Sequence, residues 1–403
     1  MMSEIESRKL SELLESLESG GRPKGGVANI RTGIPSIGGE HITRRGGFDL
    51  SEIRYVPEDY FRSMRRGKVR RHDILLVKDG ATTGKVAFVD ETFPYKEAAV
   101  NEHVFIVRPS KQKVVARYLF FFLYSTVGQS QILSNFHGAA QGGINSSFAD
   151  NVIVPTPPTK VQEKISAVLE KTYRLKEKRE EANQLTNKII QSIFLKVFGD
   201  PLYALDQMPT SELEEVCVQV TDGTHDTPKY VTPETGVPFI MARNVREGKL
   251  DFSDIRYVSR KDHEEIIKRS YPRKGDVLYV NIGANRAIAA EVDVDFEFSI
   301  KNVALFKPDP TRILSKYLVW LLNYPTFKLH VLSQSRGGAQ NFLHLDFLRK
   351  LRVPIPRLEL QEKFQVSVEI VEKMIQRQQT STAEIEELFH SLMHKAFRGE
   401  LVA

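Results

Sequence analysis

The sequence predicts an α+β protein: two strand-rich domains in tandem, each followed by a long helix, the two helices pairing as an antiparallel, coiled-coil-like unit with pseudo-two-fold symmetry. Three observations predict it. The 403-residue chain repeats itself some 200 residues on, each copy carries short apolar runs bounded by Gly, Asp and Pro, and each copy ends in a long stretch without Gly or Pro.

The echoes keep one order. Ser11-Glu12-Leu13 returns as Ser211-Glu212-Leu213, Ile53-Arg54-Tyr55-Val56 as Ile255-Arg256-Tyr257-Val258, and Asp73-Ile74-Leu75 as Asp276-Val277-Leu278. Tyr118-Leu119 returns as Tyr317-Leu318, Gly138-Ala139-Ala140-Gln141 as Gly337-Gly338-Ala339-Gln340, Val154-Pro155-Thr156-Pro157 as Val353-Pro354-Ile355-Pro356, and Gln162-Glu163-Lys164 as Gln361-Glu362-Lys363. Solenoid units run roughly 20 to 50 residues, and a period this long therefore means two copies of a whole domain.

Taken in order, residues 1–156 are expected to form the first domain, 157–200 the first spacer helix, 201–355 the second domain and 356–403 the second helix. Ile74–Val77, Val86–Val89 and Val104–Val107 read as strands of the first domain, with Val277–Val280, Ile288–Ala290 and Val303–Phe306 as their counterparts. Tyr118–Tyr124 and Tyr317–Leu322 read as buried core helices, far short of the roughly 20 residues that span a bilayer. After Pro157 and Pro158, Thr159 to Phe198 should be one helix, with Ile165, Leu169, Thr172, Arg179, Thr186, Ile190, Ile193 and Val197 on an apolar seam with a polar middle. The second helix repeats the spacing with Phe364, Val368, Val371, Ile375, Gln378, Thr382, Ile385, Phe389, Leu392 and Ala396. From these seams, Ile165, Leu169, Ile190, Ile193, Phe364, Val368, Ile385 and Phe389 are the candidate partner-binding residues. A helix of about 38 residues is about 57 Å long, and antiparallel pairing would carry the two domains to opposite ends of a dumbbell. The alternative is that the charged helices are solvated linkers, which would have no need of an apolar seam.

Composition narrows the function. A net charge of +6 and a pI near 9.1 favour a polyanionic partner. One cysteine, Cys217, excludes an internal disulfide and a Cys-based zinc cluster, and suits a reducing cytoplasm. The acidic, polar Met1–Glu6 start does not resemble a signal peptide, and no membrane role is expected.

No enzyme motif survives inspection. Gly84-Lys85 lacks the upstream glycine of a phosphate loop and is followed by Val86. Thr156-Pro157-Pro158-Thr159 has neither the amide nor the aromatic with which adenine methylases hold a flipped base. Asp226 with Glu247 and Lys249 is the nearest approach to a nuclease metal site, and His225 and His263 have no partner at metal-ligand spacing. No catalytic residue, metal ligand or cofactor site is therefore assigned.

The basic residues are clustered. Arg62, Arg65, Arg66, Lys68, Arg70 and Arg71 crowd into ten residues without an acid, and Lys268, Arg269, Arg273 and Lys274 lie at the matching place in the second copy. Such a run is often a solvated face, but its recurrence favours phosphate contacts, which anchor a duplex without reading it. Base readers are sought where the copies diverge: Arg22 and Lys24 in Ser19–Lys24 of the first copy, and Thr224, His225, Lys229 and Tyr230 in Asp222–Tyr230 of the second. The amides of Gln141 and Gln340 complete the candidate DNA contacts. Gly and Pro explain the same segments as ordinary loops.

With these residues in view, the chain resembles the specificity subunit of a type I restriction-modification system. The likeness rests on Asp222–Tyr230, Gly236-Val237-Pro238-Phe239-Ile240, and Gly275-Asp276-Val277-Leu278 with Gly283. It rests also on Gly33-Ile34-Pro35-Ser36-Ile37, Asp73-Ile74-Leu75 with Gly80, and the Pro-x-Pro and Gln-Glu-Lys that open both helices. It covers essentially the whole chain, although Ser19–Lys24 departs from the Asp-Gly-Thr-His run of the second copy. The resemblance implies a non-catalytic DNA-binding subunit serving DNA methylation and defence against foreign DNA. Two target-recognition domains would each read half of a bipartite, asymmetric site in double-stranded DNA, and the helices would act as a ruler for the spacer. It implies further that two modification subunits, carrying S-adenosylmethionine and methylating adenine, dock on the helices, with restriction subunits outside them. A fused methylase or nuclease of the same defence class, or a coiled-coil scaffold that ignores DNA, are the alternatives.

Overall fold

The computed structural model describes residues 6–28, 30–138, 142–283, 285–334 and 342–401. Two compact units emerge, one drawn from residues 1–180 and 380–403, the other from 181–379. Each long helix, Thr159–Phe198 and Leu358–Phe397, therefore gives its first part to one unit and its second part to the other.

In the first unit a four-stranded antiparallel sheet orders Leu14–Ser19, Val104–Pro109, Ile74–Val77 and Val86–Phe88. A three-stranded sheet sets Ile34–Ile37 between Arg54–Val56, antiparallel, and Ala99–Val100, parallel. The apolar runs are continuous because both faces of the larger sheet are covered. Ile74 and Leu76 point into a core with the helix Ala116–Tyr124, whereas Leu75 and Val77 point into a second core with Ile37 and Val100. Each side chain of this strand is buried. The ends of the domain are tied by Ser7–Lys9 pairing with Ile153–Pro155.

The second unit has the same plan. Its larger sheet runs Cys217–Asp222, Ala304–Pro308, Val277–Tyr279, Ala289–Glu291, and its smaller one Arg256–Val258, Val237–Met241, Ser299–Lys301. Val277 and Tyr279 face the core of the helix Ser315–Asn323, Leu278 and Val280 the other core. Thr210–Glu212 pairs with Arg352–Pro354 to close the domain. The two apolar helices are buried as expected, from Tyr118 through Leu123 and at Tyr317, Leu318, Leu321 and Leu322.

The Gln-Glu-Lys echo has a structural cause. In the first unit the buried Gln162 accepts the Val115 N–H at 2.9 Å and donates to the Pro157 carbonyl at 2.8 Å. In the second, Gln361 accepts from Leu314 at 2.8 Å and donates to Pro356 at 2.8 Å. Each glutamine thus fixes the start of a long helix to the residue that precedes the buried helix, satisfying groups that the fold hides from water.

Within each unit the long helices pack antiparallel. In the first, Ile165, Leu169 and Tyr173 share a core with Phe389, Met393, Ala396 and Phe397, and the Tyr173 and Phe389 rings lie 6.1 Å apart. In the second, Ile190, Phe194 and Phe198 share a core with Phe364, Val368 and Val371, with Phe364 5.4 Å from Phe194 and 5.3 Å from Phe198. The seam differs in detail from the expected spacing. Tyr173, Phe194 and Phe198 form its centre, while Ile193 and Val197 are half-buried flanks. Four-residue steps from Ile190 keep the same face inward, and Phe194 covers more apolar area there than Ile193 does. The polar middle is present: Gln378 donates to the Thr186 hydroxyl at 3.0 Å. Among the described residues no helix is long and apolar enough to cross a membrane.

Candidate nucleic-acid interface

The second unit's divergent loop begins where its first long strand ends, at Asp222. Gly223 follows because a Cβ there would collide with the Ile300 carbonyl oxygen, a clash only glycine avoids. The nearly buried Asp222 carboxylate meets two partners, His225 through Nε2 at 3.0 Å and the guanidinium of Arg269. His225 also meets Asn302 at 3.0 Å, and Lys301 bonds to the hydroxyl of Thr227. Asn302 stands at φ 52°, in the left-handed region that asparagine tolerates better than most residues. Asp222 thereby joins the divergent loop, the basic segment and the Lys301-Asn302 turn into one exposed patch. Tyr230 borders it, 41% exposed with Arg256 5.7 Å from its ring, while Lys229 is exposed and unpartnered among the described residues.

The first unit builds the same place from other residues. Gly20 packs on the Val100 carbonyl as Gly223 does on Ile300. Ser19 pairs with Phe105 and Asp222 with Ala304, so Glu102-His103 occupies the position of Lys301-Asn302. Glu102 takes Arg22 at 3.0 Å and His103 at 3.4 Å, and His103 also bonds to Asp79. Lys24 is exposed. One scaffold position thus carries a carboxylate in one unit and an ammonium in the other.

The basic runs are anchored by the aspartates of the Asp-hydrophobic echo. Asp73 accepts the Arg70 backbone N–H at 2.7 Å and a two-pronged pair from Arg108, both bonds 2.8 Å. Asp276 accepts the Arg273 N–H at 2.7 Å and pairs with Lys307. Burial pushes both carboxyls above their usual range, and their cations act in the opposite sense. Glu18 adds a second carboxylate on Arg108 at 2.8 Å and accepts the Gly67 N–H at 2.9 Å.

Many of the cations expected on phosphates are already engaged within the chain. Arg62 forks onto Glu97, Arg70 reaches Glu15 at 3.3 Å, Lys68 lies 4.9 Å from the Phe61 ring, and Arg71 donates to the Asp90 carbonyl. Arg65 and Arg66 are exposed and unpartnered among the described residues. In the second unit Lys274 pairs with Asp295 at 2.9 Å, Arg269 with Asp222, and Arg273 lies 4.9 Å from the Tyr271 ring. Thr224 accepts the Asp226 N–H at 3.1 Å. Gln141 and Gln340 lie outside the described residues. Asp79, Glu102, His103, Lys301 and Asn302 were not among the sequence candidates. Aligning the two copies through Val104 and Val303 brings Glu102 opposite Lys301 and would have exposed their opposite charges.

The candidate partner-binding residues are used inside the chain. Ile165, Leu169, Ile190, Phe364, Val368, Ile385 and Phe389 are buried and Ile193 half-buried, so none offers a free surface. Exposed apolar residues of the helices lie elsewhere, among them Val366, Ile370 and Met374 on the second helix and Val168, Leu175, Leu185 and Leu195 on the first.

Residues 2–187 match the type I restriction modification DNA specificity domain. The EcoBI specificity subunit of Escherichia coli is 23% identical over 94% of this chain and 85% of its own length; the EcoKI specificity subunit of Escherichia coli K12 is 21% identical over 92% and 83%. Residues 2–187 carry the type I restriction-modification specificity domain, and nearly the whole chain is similar to type I specificity subunits. The fold agrees. The crystal structure of a type I specificity subunit from M. genitalium superposes with a TM-score of 0.60 at 14% identity, covering 98% of both chains. A structure from work on assembly and conformational transition of the type I system superposes at 0.58 and 18%, again over 98% of both. As a type I specificity subunit, the protein is the non-catalytic, DNA-specificity component of its system.

Proposed function

We propose that each unit reads one half of a bipartite, asymmetric sequence in double-stranded DNA, through the patch built around Asp222 in one unit and Glu102 in the other. The observation that carries this is the opposite charge of Lys301 and Glu102 at one scaffold position, beside which the backbone is held by Gly223 or Gly20. An ammonium donates to guanine O6 and N7, whereas a carboxylate accepts from the cytosine amino group, so the same framework would favour different bases in its two copies. Arg65 and Arg66 supply sequence-blind phosphate contacts.

The long helices set the spacer between the half-sites. Each has 40 residues, about 60 Å at 1.5 Å per residue, a ceiling of about 18 base pairs at 3.4 Å each. The exposed Val366, Ile370 and Met374 recur at four-residue steps and suit a helix of another subunit. Two modification subunits would dock there, bring S-adenosylmethionine and methylate adenine, with restriction subunits joining outside them, in the cytoplasm. Co-expression with the modification subunit, followed by sequencing of methylated adenines, tests the reading: two short half-sites at a fixed spacing are expected, and one continuous site would overturn it.

A further inference from the structure

The first unit carries a cleft of about 660 Å³. Arg44, Lys85, His390 and His394 line it, over a floor that includes Tyr124 and Met393. Among the described residues no carboxylate lines it. Arg44 and Lys85 are unpartnered among the described residues, while the acids nearby are engaged: Glu180 with Arg45 at 3.0 Å and Glu386 with Lys176 at 3.3 Å. Burial, and then the charge of Arg44, draw the Lys85 ammonium below its usual range, as expected of cations gathered without an anion.

The second unit keeps the scaffold and neutralises the charge. The hairpin turn that corresponds to Arg44-Arg45 carries Arg246, paired with Asp251 at 3.4 Å, and Glu247, paired with Lys328 at 3.1 Å. Ile288 precedes the strand Ala289–Glu291 as Lys85 precedes Val86–Phe88. Gln191 and Leu195 hold, on the first long helix, the places of His390 and His394 on the second.

The cleft adjoins the proposed recognition patch through one hairpin. The Lys78 N–H donates to the His103 carbonyl at 2.9 Å, and Asp79 holds the His103 ring. The Val77 N–H bonds to the Lys85 carbonyl at 2.9 Å, and Gly84 returns a bond to Val77 at 2.8 Å. One short loop therefore has the patch on one arm and the unpaired Lys85 on the other.

We propose that this cleft holds the phosphodiester backbone of DNA beside the half-site read by the first unit, a placement that rests on the half-site reading proposed above. The protein's footprint then extends further past that half-site than past the other. Two unpaired cations, with the Thr82 and Thr126 hydroxyls also lining the cleft, are donors suited to phosphate oxygens. Continuity with the patch favours DNA over an acidic segment of another subunit.

Phosphate-ethylation interference on the cognate duplex, with the chain assembled with its modification subunit, tests this. The wild type should show interference beyond one half-site only, and Arg44→Gln with Lys85→Gln should abolish those flanking positions while leaving both half-sites protected. The slope of log affinity against log salt should flatten by about 1.8 when two phosphates are no longer neutralised. Arg44→Gln alone changes an exposed side chain, so its loss of part of the flank guards against a folding artefact, checked by an unchanged melting curve. An unaltered flank in the double variant overturns the proposal, as does unaltered DNA binding with weakened assembly, which would assign the cleft to a protein partner. Absence of any protected half-site in the wild type would instead overturn the half-site reading itself.

Discussion

Tyr118 donates its hydroxyl to the Pro155 carbonyl at 2.9 Å, and Tyr317 does the same to Pro354 at 2.9 Å. The bond ties the buried helix of each domain to the strand that ends it, just before the long helix begins. Two sequence echoes, Tyr-Leu and Val-Pro-x-Pro, are the two ends of one hydrogen bond. Burial raises both phenols above their usual range, so they remain protonated donors.

Tyr317→Phe should destabilise the protein by about 1–3 kcal/mol, the cost of leaving a buried carbonyl without its donor. Gln361→Ala should cost at least as much, because both an N–H and a carbonyl are left without a partner. Urea denaturation followed by circular dichroism measures each. A loss within ~0.5 kcal/mol for both would mean that these bonds do not hold the helix to the domain.

Replacing Arg65 and Arg66 by Ala should weaken binding to cognate and random duplex alike, flattening the salt slope by about 0.9 for each phosphate left without its guanidinium. Arg62→Ala and Arg70→Ala should have smaller effects, since both guanidiniums already serve Glu97 and Glu15. Fluorescence anisotropy across a salt series separates the pairs. Weakening restricted to the cognate duplex would contradict the assignment of Arg65 and Arg66 to phosphates.

His263 is fully buried, meets Ser299 at 2.9 Å and lies near Glu297 and Arg260. Burial holds its pKa below the usual 6.5, so the unfolded chain takes the proton first. Its contribution to stability is therefore complete above that value and declines as the pH falls through 6.5 toward the folded pKa. Denaturation midpoints should drop between about pH 7.5 and about pH 5.5, and His263→Gln should make that drop shallower. An equal drop in the variant would show that other groups set it.

Inserting one helical turn beside Arg179, with a matching turn in the facing helix, should lengthen the methylation spacer by about one to two base pairs, since a turn rises about 5.4 Å. Sequencing of methylated adenines reads the spacer directly, and an unchanged spacer contradicts the ruler.

Much of the fold was legible because burial leaves a mark on composition. Ile74–Val77 and Tyr118–Leu123 are apolar throughout since both faces are covered, and the long helices lack Pro, which would break them, and Gly, which would weaken them. Ser7–Lys9 was invisible: its three side chains are exposed, and its pairing with Ile153–Pro155 uses only backbone. The state of the basic run was equally hidden. Glu97 lies 35 residues from Arg62, so nothing local distinguishes an engaged guanidinium from the free one on Arg65. The candidate recognition loops were singled out by their divergence, but Glu102 and Lys301, which complete the proposed patch, come from distant sequence and meet the loops only through sheet register.

Separate half-sites for the two units are tested most directly by Lys229→Ala and His225→Ala, both in the second unit, co-expressed with the modification subunit while methylated adenines are mapped. One half-site is expected to relax or change, with discrimination falling by about 1–3 kcal/mol at the affected base, while the other half-site and the spacer stay as in the wild type. Simultaneous change at both half-sites, or none at either, would contradict independent reading by the two units.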